Sequence, residues 1–203
     1  MFAMRHSPEH VGLQTPRLDT LVGLRWLAVI GQTAAVLSVA YGLGFNLPLA
    51  PSLGLIAASA LLNVGLRLRY SRATRLSPGA AAAMLTYDVA QLSALLYLTG
   101  GLQNPFAPLF LAPVMISAVS LKPRMTALIC AVVVARARAL AFHHLPLPWR
   151  PGEALQLPAL YNIGVWAALV VSAVFIGVYA WRVADESRAL SNALAATELI
   201  LER

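Results

Sequence analysis

Seven residues, Gly100-Gly101-Leu102-Gln103-Asn104-Pro105-Phe106, stand between two long apolar runs. Their types suit recognition of a flat, lipid-soluble ring. Gly100 and Gly101 permit positive φ and let other groups come close to the backbone. Asn104 before Pro105 makes a good helix start, the amide as cap and the proline in the first helical position. The first turn of the following helix then presents N–H groups without helical partners. Gln103 and Asn104 add side-chain donors and acceptors, and Phe106 adds an aromatic face. A quinone, with carbonyl oxygens at the edge of its ring, is a ligand of that chemistry. In the quinol form the hydroxyls need acceptors, which the Gln103 and Asn104 carbonyls can supply. Gly, Asn and Pro are equally the ordinary residues of a tight turn, so an interfacial turn with a proline-started helix stands as the alternative.

A second group lies upstream. Asp88 sits inside an apolar run, beside Tyr87 and three residues before Gln91. Ionisable groups in such runs are functional candidates, and Asp88 and Gln91 share a helix face that should turn inward. Two readings stand side by side: a proton relay or tie to the ring site, and a simple interhelical hydrogen bond. Arg136 and Arg138 interrupt "ALICAVVVARARALAFHH", and Arg136 lies twelve residues beyond Arg124. At about 1.5 Å per residue that is roughly mid-bilayer, where an arginine costs about 2.5–3.5 kcal/mol. A buried ion pair with Asp88 is one reading; snorkelling, a tilted or broken helix, or a local sequence anomaly are the cheaper ones and are preferred. Arg25, next to Trp26, reads as an interfacial anchor rather than a ligand contact. Adjacent helical positions diverge by about 100°, so His143-His144 reads as interfacial rather than metal-binding. No catalytic triad, phosphate loop or zinc spacing appears, so neither a catalytic residue nor a metal site is expected.

The elements that must position these groups follow from composition. Only 11% of the residues are charged and 59% are hydrophobic, whereas a soluble domain carries about 25% charged residues. The chain cannot cover itself with polar surface, so its solvent is lipid. A net charge of +7 would point a soluble protein toward nucleic acid. Here the arginines form short patches between apolar runs, so the charge reports membrane topology and no nucleic-acid partner is expected. The single cysteine, Cys130, makes no intrachain disulfide.

Six apolar stretches approach the roughly 20 residues that a spanning helix needs: near 21–45, 49–66, 80–99, 106–121, 125–144 and 160–181. The first is longer than a signal-peptide core, and "VAYGLGFNLP" is a poor cleavage region. Arg5 and Arg17 precede the first stretch; Arg67, Arg69, Arg72 and Arg75 follow the second; Lys122 and Arg124 follow the fourth; Arg182 and Arg188 follow the sixth. The other loops hold only Arg150, beside Glu153. Positive charge stays on the cytoplasmic side, which puts both termini inside. Tyr41, Tyr97, Trp149 and Tyr161 mark the outer interface, and Trp26, Tyr70 and Trp181 the inner one. The expected fold is all-α and polytopic. It has a cytoplasmic segment at 1–20, a six-helix transmembrane domain at 21–181 and a cytoplasmic connector helix at 182–203.

In the connector, Val183, Leu190 and Thr197 repeat every seven residues, and Ser187, Leu194 and Leu201 form a second row four residues on. That is a short heptad seam; an amphipathic helix lying on the membrane is the alternative. The pattern runs into "ELILER" with no glycine or proline stop, as a connector to a further domain would.

"LTGGLQNPF", from Leu98 to Phe106, resembles the heptapeptide of the RegB/PrrB family of redox-sensing histidine kinases. "LRWLAVIGQ" at Leu24, "YDVAQLSALLYLTGG" at Tyr87, "HLPLPW" at His144 and the closing "ALAATELILER" resemble the same family. The resemblance implies a six-helix sensor in the bacterial inner membrane that binds ubiquinone and restrains a kinase according to the quinone pool. Carried over by position, Gly100, Gly101, Leu102, Gln103, Asn104, Pro105 and Phe106 are the quinone-sensing residues. The implied partners are membrane lipid, a second copy of the chain, a cytoplasmic kinase core and a response regulator. The sequence lacks a phospho-acceptor histidine region and ATP-binding glycine boxes, so this chain alone is not expected to be catalytic. The family's redox-active cysteine belongs to its cytoplasmic part, so Cys130 is not its equivalent, and Arg136 and Arg138 depart from an apolar fifth span. A small transporter or channel lined by Asp88 and Arg136, and a structural membrane anchor, are the competing functions.

Overall fold

The computed structural model describes residues 18–71, 74–150, 155 and 157–201. Arg5, Arg17, Arg72, Glu153 and most of the N-terminal segment lie outside the described residues, as do the last two residues of the connector. Among the described residues the regular elements are helices: α1 (Leu18–Leu37), α2 (Leu49–Arg69), α3 (Pro78–Leu98), α4 (Leu111–Ser120), α5 (Pro123–Phe142) and α6 (Ala159–Leu201). A π-turn, Ser38–Gly42, extends α1. Among the described residues five helices are long and apolar enough to cross a membrane, with a shorter apolar helical segment at Ala107–Ser120. The protein is an all-α polytopic membrane protein.

Local sequence explains most of the boundaries. Pro78 and Pro123 stand in the first turns of α3 and α5, where a missing N–H is harmless, and the Ser77 hydroxyl accepts from the Ala80 amide at 3.2 Å. The fourth segment departs from expectation. Rather than a full crossing over 106–121, it begins with two 3₁₀ turns, Gly101–Gln103 and Ala107–Phe110, and becomes α-helical only at Leu111. Pro105, Pro108 and Pro113 delay it, because each removes a donor that regular helix would use. Ala107–Ser120 is then only about 20 Å long, against a hydrocarbon core of about 30 Å. Irregular backbone at membrane depth is tolerated where it is packed in protein or lines a cavity, and here it does both.

The helices form two groups. The main core joins α3, α4, α5 and α6 through Leu85, Val89, Val114, Ile129, Val133 and Ala173, all buried. A smaller cluster, Val29, Val36, Ile56 and Leu95, packs α1 on α2 and touches α3 near its end. α1 lies chiefly against α2, and α2 joins the hairpin to the rest through α3. At one end, here the basic end, the Arg67 Nη1 contacts Asp19 Oδ1 at 2.5 Å and ties α2 to α1. The opposite end, the hairpin end, carries 99–106 and 143–149.

Two alternatives are excluded and one expectation is corrected. Arg136 and Arg138 do not pair with Asp88; both are exposed on the outside of α5, which runs unbroken through them. The unbroken α5 excludes the broken helix. Arg25 is no interfacial anchor: it is 5% exposed. Beyond Trp181, α6 continues without a break to Leu201, so the connector and the sixth span are one helix of 43 residues. Within it Val183, Ser187 and Leu190 are exposed in the single chain.

Candidate functional site

A cavity of about 870 Å³ lies between α1 on one side and α3, the 3₁₀ segment and α4 on the other. Its rim includes Leu24, Leu27, Phe106 and Leu109, all exposed, so it opens on an apolar outer face of the bundle. Trp149 closes the hairpin end, tilted on Phe45 with ring centroids 4.9 Å apart.

The seven motif residues divide. Gln103, Asn104, Pro105 and Phe106 line the cavity. Gly100, Gly101 and Leu102 do not; they hold the segment from behind. Leu102 is 1% exposed in the main core. Gly100 has φ +104° and a Cβ there would lie 2.9 Å from Leu147 Cα; Gly101 has φ +60° and its Cβ would lie 2.6 Å from His144 Cγ. The "HLPLPW" stretch thus lies directly on the two glycines, and the Leu145 amide donates to the Tyr97 carbonyl at 2.9 Å. Each glycine needs both its backbone angle and its missing side chain.

Asn104 is engaged by its own turn. Its Nδ2 donates to the Thr99 hydroxyl at 2.7 Å and the Thr99 carbonyl at 3.0 Å, and its Oδ1 accepts from the Phe106 amide at 2.8 Å. That Asx turn sets the ring of Phe106, 44% exposed, on the cavity rim. The Gln103 side-chain amide, by contrast, makes no hydrogen bond among the described residues. Of the two amides expected to meet a ligand, Gln103 has its groups available and Asn104 shapes the wall.

The second polar group lies deeper. Asp88 and Gln91 do share the α3 face that turns to α1. Gln91 Nε2 donates to Gln32 Oε1 at 2.9 Å, and Gln32 Nε2 returns a bond at 3.4 Å. Asp88 Oδ1 lies 2.8 Å from Arg25 Nη1, close but with the N–H not aimed at the oxygen. The Arg25 Nε donates to Asn63 Oδ1 at 2.7 Å and Nη2 to the Ser59 hydroxyl at 3.3 Å, while the guanidinium lies 5.0 Å from the Tyr87 ring centroid. One buried arginine therefore ties α1, α2 and α3. A charge in a membrane interior is tolerated when paired in this way. Arg25, Gln32, Ser59, Asp88 and Gln91 all reach the cavity wall. The sequence reading missed Arg25, Gln32, Ser59 and Asn63. The signal was their spacing: polar residues seven apart on α1, four apart on α2 and three apart on α3 mark three faces that point at one another.

Chemically, the arrangement can hold an apolar, flat molecule against Phe106, with polar contacts available from Gln103 at one depth and Asp88 at another. The comparisons with known proteins agree with this architecture. Residues 17–145 match the PilS-like transmembrane domain family. Two curated relatives, both named sensor histidine kinase RegB and both from Cereibacter sphaeroides, one of them assigned to a particular strain, are 42% identical over 187 residues. The aligned region is 92% of this chain and 40% of each relative, so the chain spans less than half the length of the proteins it matches. No solved structure matches the chain significantly. The resemblance first carried by the heptapeptide therefore extends over nearly all of the sequence. With a matched region running from the foot of α1 to the loop packed on Gly101, and six helical segments built for lipid, the chain belongs to the PilS-like transmembrane domain family.

Proposed function

We propose that this chain is the membrane-embedded sensing part of a sensor histidine kinase, and that its cavity binds ubiquinone. The observation that carries the reading is the outward-opening cavity of about 870 Å³ with the Phe106 ring and the unbonded Gln103 amide on its wall. That volume is within the range of small-molecule sites, about 300–1,000 Å³. A benzoquinone ring enters from the acyl chains, lies against Phe106, and accepts a hydrogen bond from Gln103 Nε2. The similarity to proteins named sensor histidine kinase supports the assignment to signalling. The kinase core and the response regulator belong to the rest of such a protein, so phosphotransfer is not assigned to these residues.

The arginine distribution favours a bacterial inner-membrane location with both termini cytoplasmic, which makes the basic end the inner one. Ligand occupancy changes how α3 and the 3₁₀ segment pack. Because α4 packs on α6 and α6 is continuous to Leu201, the change reaches the cytoplasm through a single rigid helix, in a homodimer joined along that helix. A ligand biases two such arrangements only by its differential affinity for them.

The test is titration of purified protein with a short-tailed ubiquinone, followed by tryptophan fluorescence, since Trp149 lines the cavity. Wild type should show saturable quenching, and Phe106→Ala and Gln103→Ala should each shift the curve to higher concentration. Superimposable curves for all three would remove the site and leave a structural anchor.

A further inference from the structure

The cavity wall carries polar groups at two depths. Asp88 lies eleven residues before Thr99 on α3, so the Asp88 level and the hairpin end are about 16 Å apart, too far for one ring to touch both. The two levels also differ in chemistry. At the hairpin end the free group is the Gln103 amide, which can donate. At the deeper level the amides of Gln32 and Gln91 satisfy each other, and the Arg25 guanidinium is turned away into Asn63, Ser59 and Asp88. The remaining open group there is the carboxylate. Asp88 is 24% exposed against 5% for Arg25; its Oδ1 faces Arg25, and its Oδ2 has no hydrogen-bond partner among the described residues. An anionic oxygen facing an apolar cavity needs a donor, and a carboxylate can only accept.

This inference rests on the quinone reading above. We propose that the cavity holds two seats, one for each redox form: the oxidised ring sits at Gln103 and Phe106, and the reduced ring sits at Asp88. A quinone carries only acceptor oxygens, so it is repelled by Asp88 Oδ2 and takes the Gln103 Nε2 donor. The Gln103 carbonyl can also accept a hydroxyl, so the selection between redox forms is made at Asp88, whose charged acceptor is the stronger. A hydroquinone carries two hydroxyl donors, and one of them supplies the hydrogen bond that Oδ2 lacks. No electron passes through the protein; the ring arrives oxidised or reduced and takes the seat its edge atoms allow. Redox state is thereby converted into position along α3. The occupant of the deeper seat contacts the residue that Arg25 ties to α1 and α2, whereas the occupant of the outer seat contacts the hairpin.

The experiment measures binding of a short-tailed benzoquinone, its hydroquinone under anaerobic conditions, and the dimethyl ether of that hydroquinone, to the full chain in nanodiscs. Asp88→Asn should weaken hydroquinone about tenfold or more, the scale of one hydrogen bond to a charged group, and leave the quinone unchanged. Phe106→Ala should weaken the quinone more than the hydroquinone. In wild type the dimethyl ether, with no donor, should bind about tenfold or more weaker than the hydroquinone. If Asp88→Asn does not fold around an unpaired Arg25, the double variant Arg25→Leu/Asp88→Leu removes both charges and the acceptor and should show the same selective loss. The two-seat arrangement is overturned if hydroquinone affinity ignores both Asp88 variants, if both redox forms weaken together, or if the ether binds as the hydroquinone does. If wild type binds neither form, the quinone reading itself falls; if it binds both and only the selectivity fails, that reading stands.

Discussion

Arg25 on α1 and Asp88 on α3 meet at 2.8 Å across the opening that forms the cavity, two turns along α1 from the Gln32–Gln91 pair that also joins these helices. The pair spans a gap rather than sealing a core. Asp88→Leu leaves the more buried partner, Arg25, unpaired and should destabilise the protein by about 3 kcal/mol. Arg25→Leu leaves a carboxylate that still reaches the cavity and should cost less. The double variant should cost less than the sum of the two. Unfolding of all four proteins in detergent, taken as a double-mutant cycle, checks this; additive losses would mean that the contact contributes nothing.

The two glycines predict different rescues. Gly101→Ala meets the His144 side chain, while Gly100→Ala meets the Leu147 backbone as well as its side chain. Both also force alanine to positive φ, at a cost of about 1–2 kcal/mol. Trimming His144→Ala should therefore recover part of the Gly101→Ala loss, which overpacking puts at about 1–3 kcal/mol. Trimming Leu147→Ala should recover less of the Gly100→Ala loss, because the obstructing Cα stays. Melting temperatures of the singles and doubles decide it.

Asn104 and Phe106 should separate stability from binding. Asn104→Ala removes three hydrogen bonds that close the turn and should lower stability by about 1–3 kcal/mol, the loss of partnered groups at a part-buried site. Phe106→Ala removes a ring on an open rim and should leave the melting temperature nearly unchanged while weakening the quinone. A Phe106→Ala protein that melts as early as Asn104→Ala would make the ring a packing residue.

The sequence makes the apolar segments and the inward face of Asp88 and Gln91 legible, because both rest on periodicity, and α2 begins at the expected Leu49. The short fourth segment was also written there, in Pro105, Pro108 and Pro113, but hydropathy outweighs punctuation when spans are counted. Two features could not be read locally. The reason for Gly100 and Gly101 lies about forty residues downstream, in Leu147 and His144, and the destination of Arg25 depends on how three helices rotate toward one another. An arginine seven residues into α1 fits an interfacial anchor by position alone; the polar rows on α2 and α3 make it a bridge.

The continuity of α6 gives the last prediction. Val183 and Leu190 are seven residues apart and are 48% and 64% exposed in the single chain, so an apolar stripe continues beyond the sixth span with nothing among the described residues covering it. In a parallel pair these positions repeat at the period of a coiled-coil seam and face their counterparts. Asp185, also exposed, is two residues on from Val183 and lies on nearly the opposite side. In a background with Cys130→Ser, which removes the single native thiol, Val183→Cys and Leu190→Cys should form intermolecular disulfides on mild oxidation in membranes. Asp185→Cys should not. Equal crosslinking at all three positions would indicate chance collision of flexible tails, and none at any would make this helix a lone rod or place it against the lipid surface. If the seam is real, adding quinone should change the crosslinking rate at Val183 in wild-type cavities and leave it unchanged with Phe106→Ala, because the rigid helix reports on the packing of α4.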